Sequence, residues 1–230
     1  MKKEVFTDLH RHAPARGAVA SGLPEQVERW IAEKAPGAFS VGLHPWNTEM
    51  IALEDMDVMM ARVAEVANNP RVVAIGEAGI DALRGAPIDL QREILRRHIV
   101  ISEMLHKPLV LHIVKAVDDV MALRREMKAR QPWVWHGFRG NMQQAAQWLA
   151  FDEMFYISLG EKFNCQAAKI IPIDRLLIET DESEMPISEI AAQIDAVREY
   201  PKGIVMTSTK ANLKLFVGWS AASRQQCSQM

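Results

Sequence analysis

Val72-Val73-Ala74-Ile75-Gly76-Glu77 is the stretch on which the fold turns: a short apolar run, closed off upstream by Asn69-Pro70, that ends on a carboxylate. Four β-branched or small apolar residues in a row fit a strand covered on both faces, as in a parallel sheet. Seven other runs share this character: Val5 to Leu9, Ala18 to Ser21, Phe39 to Leu43, Leu109 to Leu111, Trp133 to Trp135, Phe155 to Ser158 and Leu176 to Ile178. Counting Val72 to Ile75, the sequence predicts eight strands.

Segments of helical period separate them. Leu23 to Lys34 carries Val27, Trp30 and Ile31 at helical spacing, with Pro24 suited to the first turn and Pro36 past the end. Ile51 to Ala67 repeats the pattern with Met56, Met59, Met60 and Val63, and Asn68-Asn69-Pro70 stops it. Pro87 to His106 predicts the longest helix, followed by Val117 to Arg130, Met142 to Ala150, Ile187 to Glu199 and Lys210 to Val217. Strands alternating with helices predict a parallel α/β sheet, and eight of them a compact (β/α)₈ TIM barrel. The link from His12 to Gly17 is too short for a helix. No repeat or linker divides the chain, so residues 1–218 read as one domain and residues 219–230 as a polar, disordered tail.

Bulk properties narrow the function. With 230 residues, 49% hydrophobic and 24% charged, the chain can bury a large core, and a net charge of -2 supplies no basic field to draw in a polyanion. Any nucleic-acid contact must therefore come from a local patch. The N-terminus meets acids and histidines instead of an apolar signal stretch, and no long apolar run occurs, so neither secretion nor a membrane span is expected. Two cysteines, Cys165 and Cys227, without a C-x-x-C pair fit a reducing cytoplasm, and nothing calls for a protein partner, so a monomer is expected.

The chemistry lies where the strands end. His10 and His12 follow the first strand two residues apart, on the same side of an extended backbone, so both imidazoles can reach one ion. Glu77, His112, His136 and Asp181 each close a later apolar run. In a parallel barrel all strand C-termini meet at one rim, so these six residues converge there as metal ligands at the carboxyl ends of the strands. Four histidines and two carboxylates exceed the needs of one ion and suit two divalent cations, Zn²⁺, Mn²⁺, Fe²⁺ or Mg²⁺. Two such ions about 3.5–4 Å apart share a carboxylate and a hydroxide, which is the chemistry of hydrolysis.

DLHRH (8–12), VGLHPW (41–46), AIGEAGID (74–81), PLVLHIV (108–114), WHGFRG (135–140) and RLLIETD (175–181), in this order and followed by NLKLF (212–216), resemble the motifs of the TatD family of metal-dependent deoxyribonucleases, within the wider amidohydrolase-like barrels. The resemblance runs from about residue 5 to about residue 218. It implies a DNase of exonuclease character that cleaves phosphodiester bonds, with His10, His12 and Asp181 on one metal, Glu77 bridging, and His112 and His136 on the second. Glu77 and Asp181 are then the catalytic carboxylates, Asp181 orienting or deprotonating the attacking water. His44 holds the family's position after the third strand and is read as a pocket residue supporting the ligands.

Departures from the family bear on substrate. Where many members read H-S-R-D-A, this chain has His112-Ile113-Val114-Lys115-Ala116, and where they read H-C-F-S-G it has His136-Gly137-Phe138-Arg139-Gly140. Lys115 and Arg139 are accordingly the expected phosphate contacts, on DNA or a small phosphodiester. D-A-P-Y-L becomes Asp181-Glu182-Ser183-Glu184-Met185-Pro186, which sets two more acids near the rim. Those acids keep two other readings open: an amide, ester or lactone hydrolase on the same barrel, and a metal-binding relative without turnover. Trp46, Phe138 and Phe163 are the aromatics near the rim that can stack on a base or pack in the core, packing being the more common fate.

Overall fold

The computed structural model of the chain describes residues 6–49 and 55–218. Eight parallel strands pair in sequence order: β1 (Asp8–Arg11), β2 (Ala18–Gly22), β3 (Ala38–Val41), β4 (Val72–Asp81), β5 (Leu109–Val114), β6 (Trp133–Trp135), β7 (Phe155–Leu159) and β8 (Leu176–Ile178). The sheet curls until Arg11 bridges Asp181, and the Asp181 N–H donates to the His10 carbonyl at 2.9 Å. The expected TIM barrel is the fold of the protein.

Helices α1 (Pro24–Ala32), α2 (Met56–Ala67), α3 (Ile88–Leu105), α4 (Val117–Glu126), α5 (Met142–Phe151), α6 (Cys165–Ile170), α7 (Ile187–Val197) and α8 (Ile204–Val217) lie between or after the strands. No helix joins β1 to β2; residues 12–17 make that connection alone, as their number requires. The outward faces of the strands and the inward stripes of the helices merge into the main core, including Val27, Trp30, Met56, Val63, Ile94, Leu95, Trp148 and Phe155. Trp148 stacks on Phe155 at 3.9 Å, and its indole N–H donates to the Tyr156 carbonyl at 2.9 Å, so neither ring nor polar tip is left unmatched.

Val110, Val134 and Leu177 stand two residues before His112, His136 and Glu179, and alternation puts them on the same inward face. With Ala74 they join a second apolar cluster that includes Leu213 and Phe216 of α8. Polar residues thus occupy the carboxyl ends of the strands, and apolar residues fill the interior beneath them.

Several boundaries move. β1 begins at Asp8, not Val5, because its pairing with β2 starts at Asp8 opposite Ala18; Val5 itself lies outside the described residues. β4 runs on to Asp81 because its ladder with β5 continues from Ala78 opposite Leu111 to Asp81 opposite Val114. Gly76 and Gly79 permit this: both have positive φ, and a Cβ on either would strike the backbone of Val110 or His112. Glu77 and His112 consequently sit within their strands. α8 starts six residues before the expected Lys210, α4 stops at Glu126, and α6 has no counterpart among the expected helices. The expected start of α2 at Ile51 and the tail 219–230 lie outside the described residues.

Candidate metal centre

Glu77 is the hub. Its carboxylate lies 3.3 Å from His10 Nε2, 3.0 Å from His44 Nε2, 3.0 Å from His112 Nδ1 and 2.7 Å from His136 Nε2. Asp181 lies 3.2 Å from His12 Nε2 and 3.8 Å from His10 Nε2. All six expected ligands are therefore together, and His44 joins them. Two groups have donor atoms mutually close enough to share an ion, His10–His12–Glu77 and His44–Glu77–His112, and Glu77 belongs to both.

The backbone explains the convergence. His10 and His12 alternate off the end of β1, and Asp181, in the left-handed region at φ 53°, turns back toward β1 where its N–H meets the His10 carbonyl. Asp8, two residues before His10, accepts both the Thr180 N–H at 3.0 Å and the Thr180 hydroxyl at 2.6 Å, which fixes the residue preceding Asp181. The Ser21 hydroxyl on β2 accepts the Glu77 N–H at 2.8 Å.

Outer carboxylates decide which imidazole nitrogen faces the centre. Asp81 Oδ2 lies 3.1 Å from His112 Nε2 and would keep that proton with a cation bound, which makes Nδ1, 3.0 Å from Glu77, the ligand nitrogen. Glu179, fully buried, lies 3.2 Å from His136 Nδ1 and would keep that proton with a cation bound, which makes Nε2 the ligand nitrogen; it also accepts the Gly137 N–H at 2.6 Å. His44 differs. Its Nδ1 accepts the Trp46 N–H at 3.1 Å, so its proton sits on Nε2 and points at Glu77 as a donor, which is a supporting role.

The charges are mutually adjusted. Burial alone would raise the Glu77 carboxyl, but His136, His10 and His112 hold it well below the usual carboxylate range. Burial would likewise lower His136, yet Glu77 and Glu179 raise it well above its ordinary value. A hydrogen bond to Asp181 raises His12, and Asp181 is lowered because His12, His136 and His10 outweigh its burial.

A cation fits this donor set. His10 is fully buried, and neither of its ring nitrogens makes a hydrogen bond among the described residues; the 3.3 Å approach of Nε2 to Glu77 is an ion-pair distance without hydrogen-bond alignment. Buried polar atoms without partners are costly, and a cation on Nε2 would satisfy the nitrogen aimed at the cluster.

The cluster opens into a cavity of about 730 Å³ lined by, among others, His12, His44, Trp46, Glu77, Lys115 and Arg139. Lys115 and Arg139 are exposed on its wall. Phe138 is fully buried and packs on Trp135 at 4.8 Å, Phe163 packs against the main core, and Trp46 alone of the three is exposed in the cavity. Sequence reading assigned no role to Asp8, Ser21, Asp81 or Glu179. Asp8 and Glu179 were within its reach, since each stands two residues from a candidate ligand and hence on the same side of an extended chain. Ser21 and Asp81 act across strands, which spacing cannot show.

A family model described as TatD related DNase matches residues 21–216. Among curated relatives, the uncharacterized metal-dependent hydrolase YcfH of Escherichia coli K12 is 33% identical over 175 residues, 71% of this chain and 63% of its own length. YabD of Bacillus subtilis, also described as an uncharacterized metal-dependent hydrolase, is 32% identical over 151 residues, 62% of this chain and 57% of its own length. The matched region thus spans less than two thirds of these relatives. In fold, the chain is similar to YJJV, a TatD homolog from Escherichia coli K12, with a TM-score of 0.78 at 20% identity, covering 94% of this chain and 98% of the other. No helix among the described residues is long and apolar enough to cross a membrane. With the family model matching most of the chain and an eight-stranded barrel underneath, the chain belongs to the TatD family of metal-dependent hydrolases.

Proposed function

We propose that the protein is a two-cation phosphodiesterase of deoxyribonuclease type, working as one domain over residues 1–218. The observation that carries this reading is Glu77: one buried carboxylate shared by two groups of imidazoles, which is what a bridging ligand must be. In this reading His10, His12 and Asp181 would hold one cation and His112 and His136 the other, and Glu77 would serve both. Zn²⁺, Mn²⁺ or Mg²⁺ bound there would supply Lewis-acid polarisation of a phosphoryl oxygen and lower the pKa of water.

The chain's own groups do the remaining work. Asp181, whose carboxyl is held ionised by His12 and His136, would orient an attacking water and accept its proton. His44 holds Glu77 from the cavity side. Lys115 and Arg139 offer cations on the cavity wall to the phosphate or its neighbour. The two-cysteine composition favours a cytoplasmic location.

A second reading, hydrolysis of an amide, ester or lactone, is favoured by Glu182, exposed on the cavity lining and unfavourable to a polyanion. Purified protein loaded with each cation should be assayed on single-stranded DNA and on a panel of small esters, amides and lactones. Cation-dependent cleavage of DNA alone supports the nuclease. Turnover confined to the carbonyl panel refutes it in favour of the second reading.

A further inference from the structure

Trp46 is the one aromatic side chain of the three near the rim that is left in the cavity. It keeps 46% of its surface exposed, although an indole of this size gains by burial, and it is held in place from several directions. Its Nε1–H donates to Asp81 Oδ2 at 2.7 Å, and its backbone N–H donates to His44. The ring stands edge-to-face with His44 at 4.9 Å and with His112 at 5.8 Å, while the Arg84 guanidinium, outside the cavity lining, lies 4.2 Å over it. The short 3-10 helix Pro45–Thr48 that carries it is anchored by the Ala86 N–H, which donates to the Thr48 hydroxyl at 3.1 Å.

These anchors have a chemical consequence. With its only side-chain donor committed to Asp81, the indole offers the cavity π surface and no hydrogen bond, so it can recognise flatness without reading a sequence. A ring already immobilised loses little entropy when a planar ligand settles on it. Polar groups that can meet a ligand's edge or phosphate, Gln26, Asn47 and Lys115, line the same cavity. Asp81 Oδ2 receives both the Trp46 indole and His112, so the ring and the carboxylate–imidazole cluster are one side chain apart.

We propose that Trp46 is the stacking wall of a subsite for the planar base of the nucleotide whose phosphate is attacked, an inference that rests on the phosphodiester reading above. The base lies along Trp46, and the sugar-phosphate attached to it reaches toward Glu77 and the histidines.

The test is equilibrium binding, by calorimetry in the presence of Mn²⁺, of thymidine 5′-monophosphate and of deoxyribose 5-phosphate, which has the same phosphate but no base. Wild type should bind the nucleotide about fivefold or more tighter, the low end of a base–aromatic stack. In Trp46→Leu that ratio should collapse, with deoxyribose 5-phosphate affinity unchanged. Trp46→Phe, which keeps a ring but loses the bond to Asp81, should retain most of the ratio. If the ratio survives in Trp46→Leu, or if both variants lose deoxyribose 5-phosphate as well, Trp46 only supports Asp81 and His112 and the subsite is refuted. If wild type binds the sugar phosphate without preference for the base, the subsite fails and the phosphodiester reading stands; if it binds neither, both fail.

Discussion

His98 and His136 are both buried, and they have been driven in opposite directions. His98, on α3 within the helical shell, accepts the Leu43 N–H on Nε2 at 3.0 Å and donates from Nδ1 to the Ile94 carbonyl at 2.8 Å, with no acid beside it. Burial therefore pushes it down to about 4, and it is a neutral clamp that ties α3 to the residue before His44. His136, on the rim, faces Glu77 on one side and Glu179 on the other, and its charged form is favoured. Burial says how strongly a histidine's surroundings act on it. The partners decide what it is for.

If that contrast is right, replacing the two residues has separable effects. His136→Ala should reduce hydrolysis by more than the roughly 100-fold that loss of a supporting residue can cost, with thermal stability near wild type. His98→Ala should lower Tm while changing metal affinity little, because it opens a cavity and strands the Leu43 N–H. Equal losses of metal affinity in both variants would erase the distinction.

Acid should act on the shell through His98. An unfolded His98 takes up its proton near 6.5 and the folded one only near 4, so between those values the unfolded state holds more protons. The contribution is full above about pH 6.5 and is lost as pH falls toward 4, by a total on the order of 3 kcal/mol. Denaturant unfolding at several pH values checks this. A His98→Gln variant, able to accept the Leu43 N–H but not to titrate, should show a flatter profile, and an unchanged slope would remove His98 as the cause.

The rim predicts a subtler response. Glu179→Gln leaves a hydrogen-bonding group beside His136 but removes the charge, and should weaken metal binding about 10- to 100-fold with a smaller change in Tm. Isothermal titration with Zn²⁺ reads it, and unaltered affinity would show that Glu179 merely fills space. The smallest effect belongs to the shell again: Asn164, whose side chain accepts the Gln166 and Ala167 N–H groups at the start of α6, should cost about 1 kcal/mol when replaced by Ala. Its metal affinity should not move.

Much of this was legible in the sequence because the barrel repeats one rule. A run such as Trp133 to Trp135 followed by His136 identifies both the strand and the residue it delivers, and the strand order then places Glu77 beside residues 35 and 59 positions further along, His112 and His136. The resemblance carried the grouping into two cations. What escaped was set by contacts between distant segments. β4 continues to Asp81 because two glycines let it hug β5, so Glu77 is inside a strand instead of at its end. α6 is only six residues long and has too few turns to show a period. Asp81 supports both His112 and Trp46, a relation visible only once β4, β5 and the 3-10 helix Pro45–Thr48 are folded together.

The central claim, that Glu77 is the shared ligand of two cations, is tested most directly by metal content. Elemental analysis of the purified protein, reloaded with Zn²⁺ or Mn²⁺ and dialysed, should give about two ions per chain, and Glu77→Ala should lose one or both. No stoichiometric metal in wild type under any loading, or two ions retained by Glu77→Ala, would contradict the account.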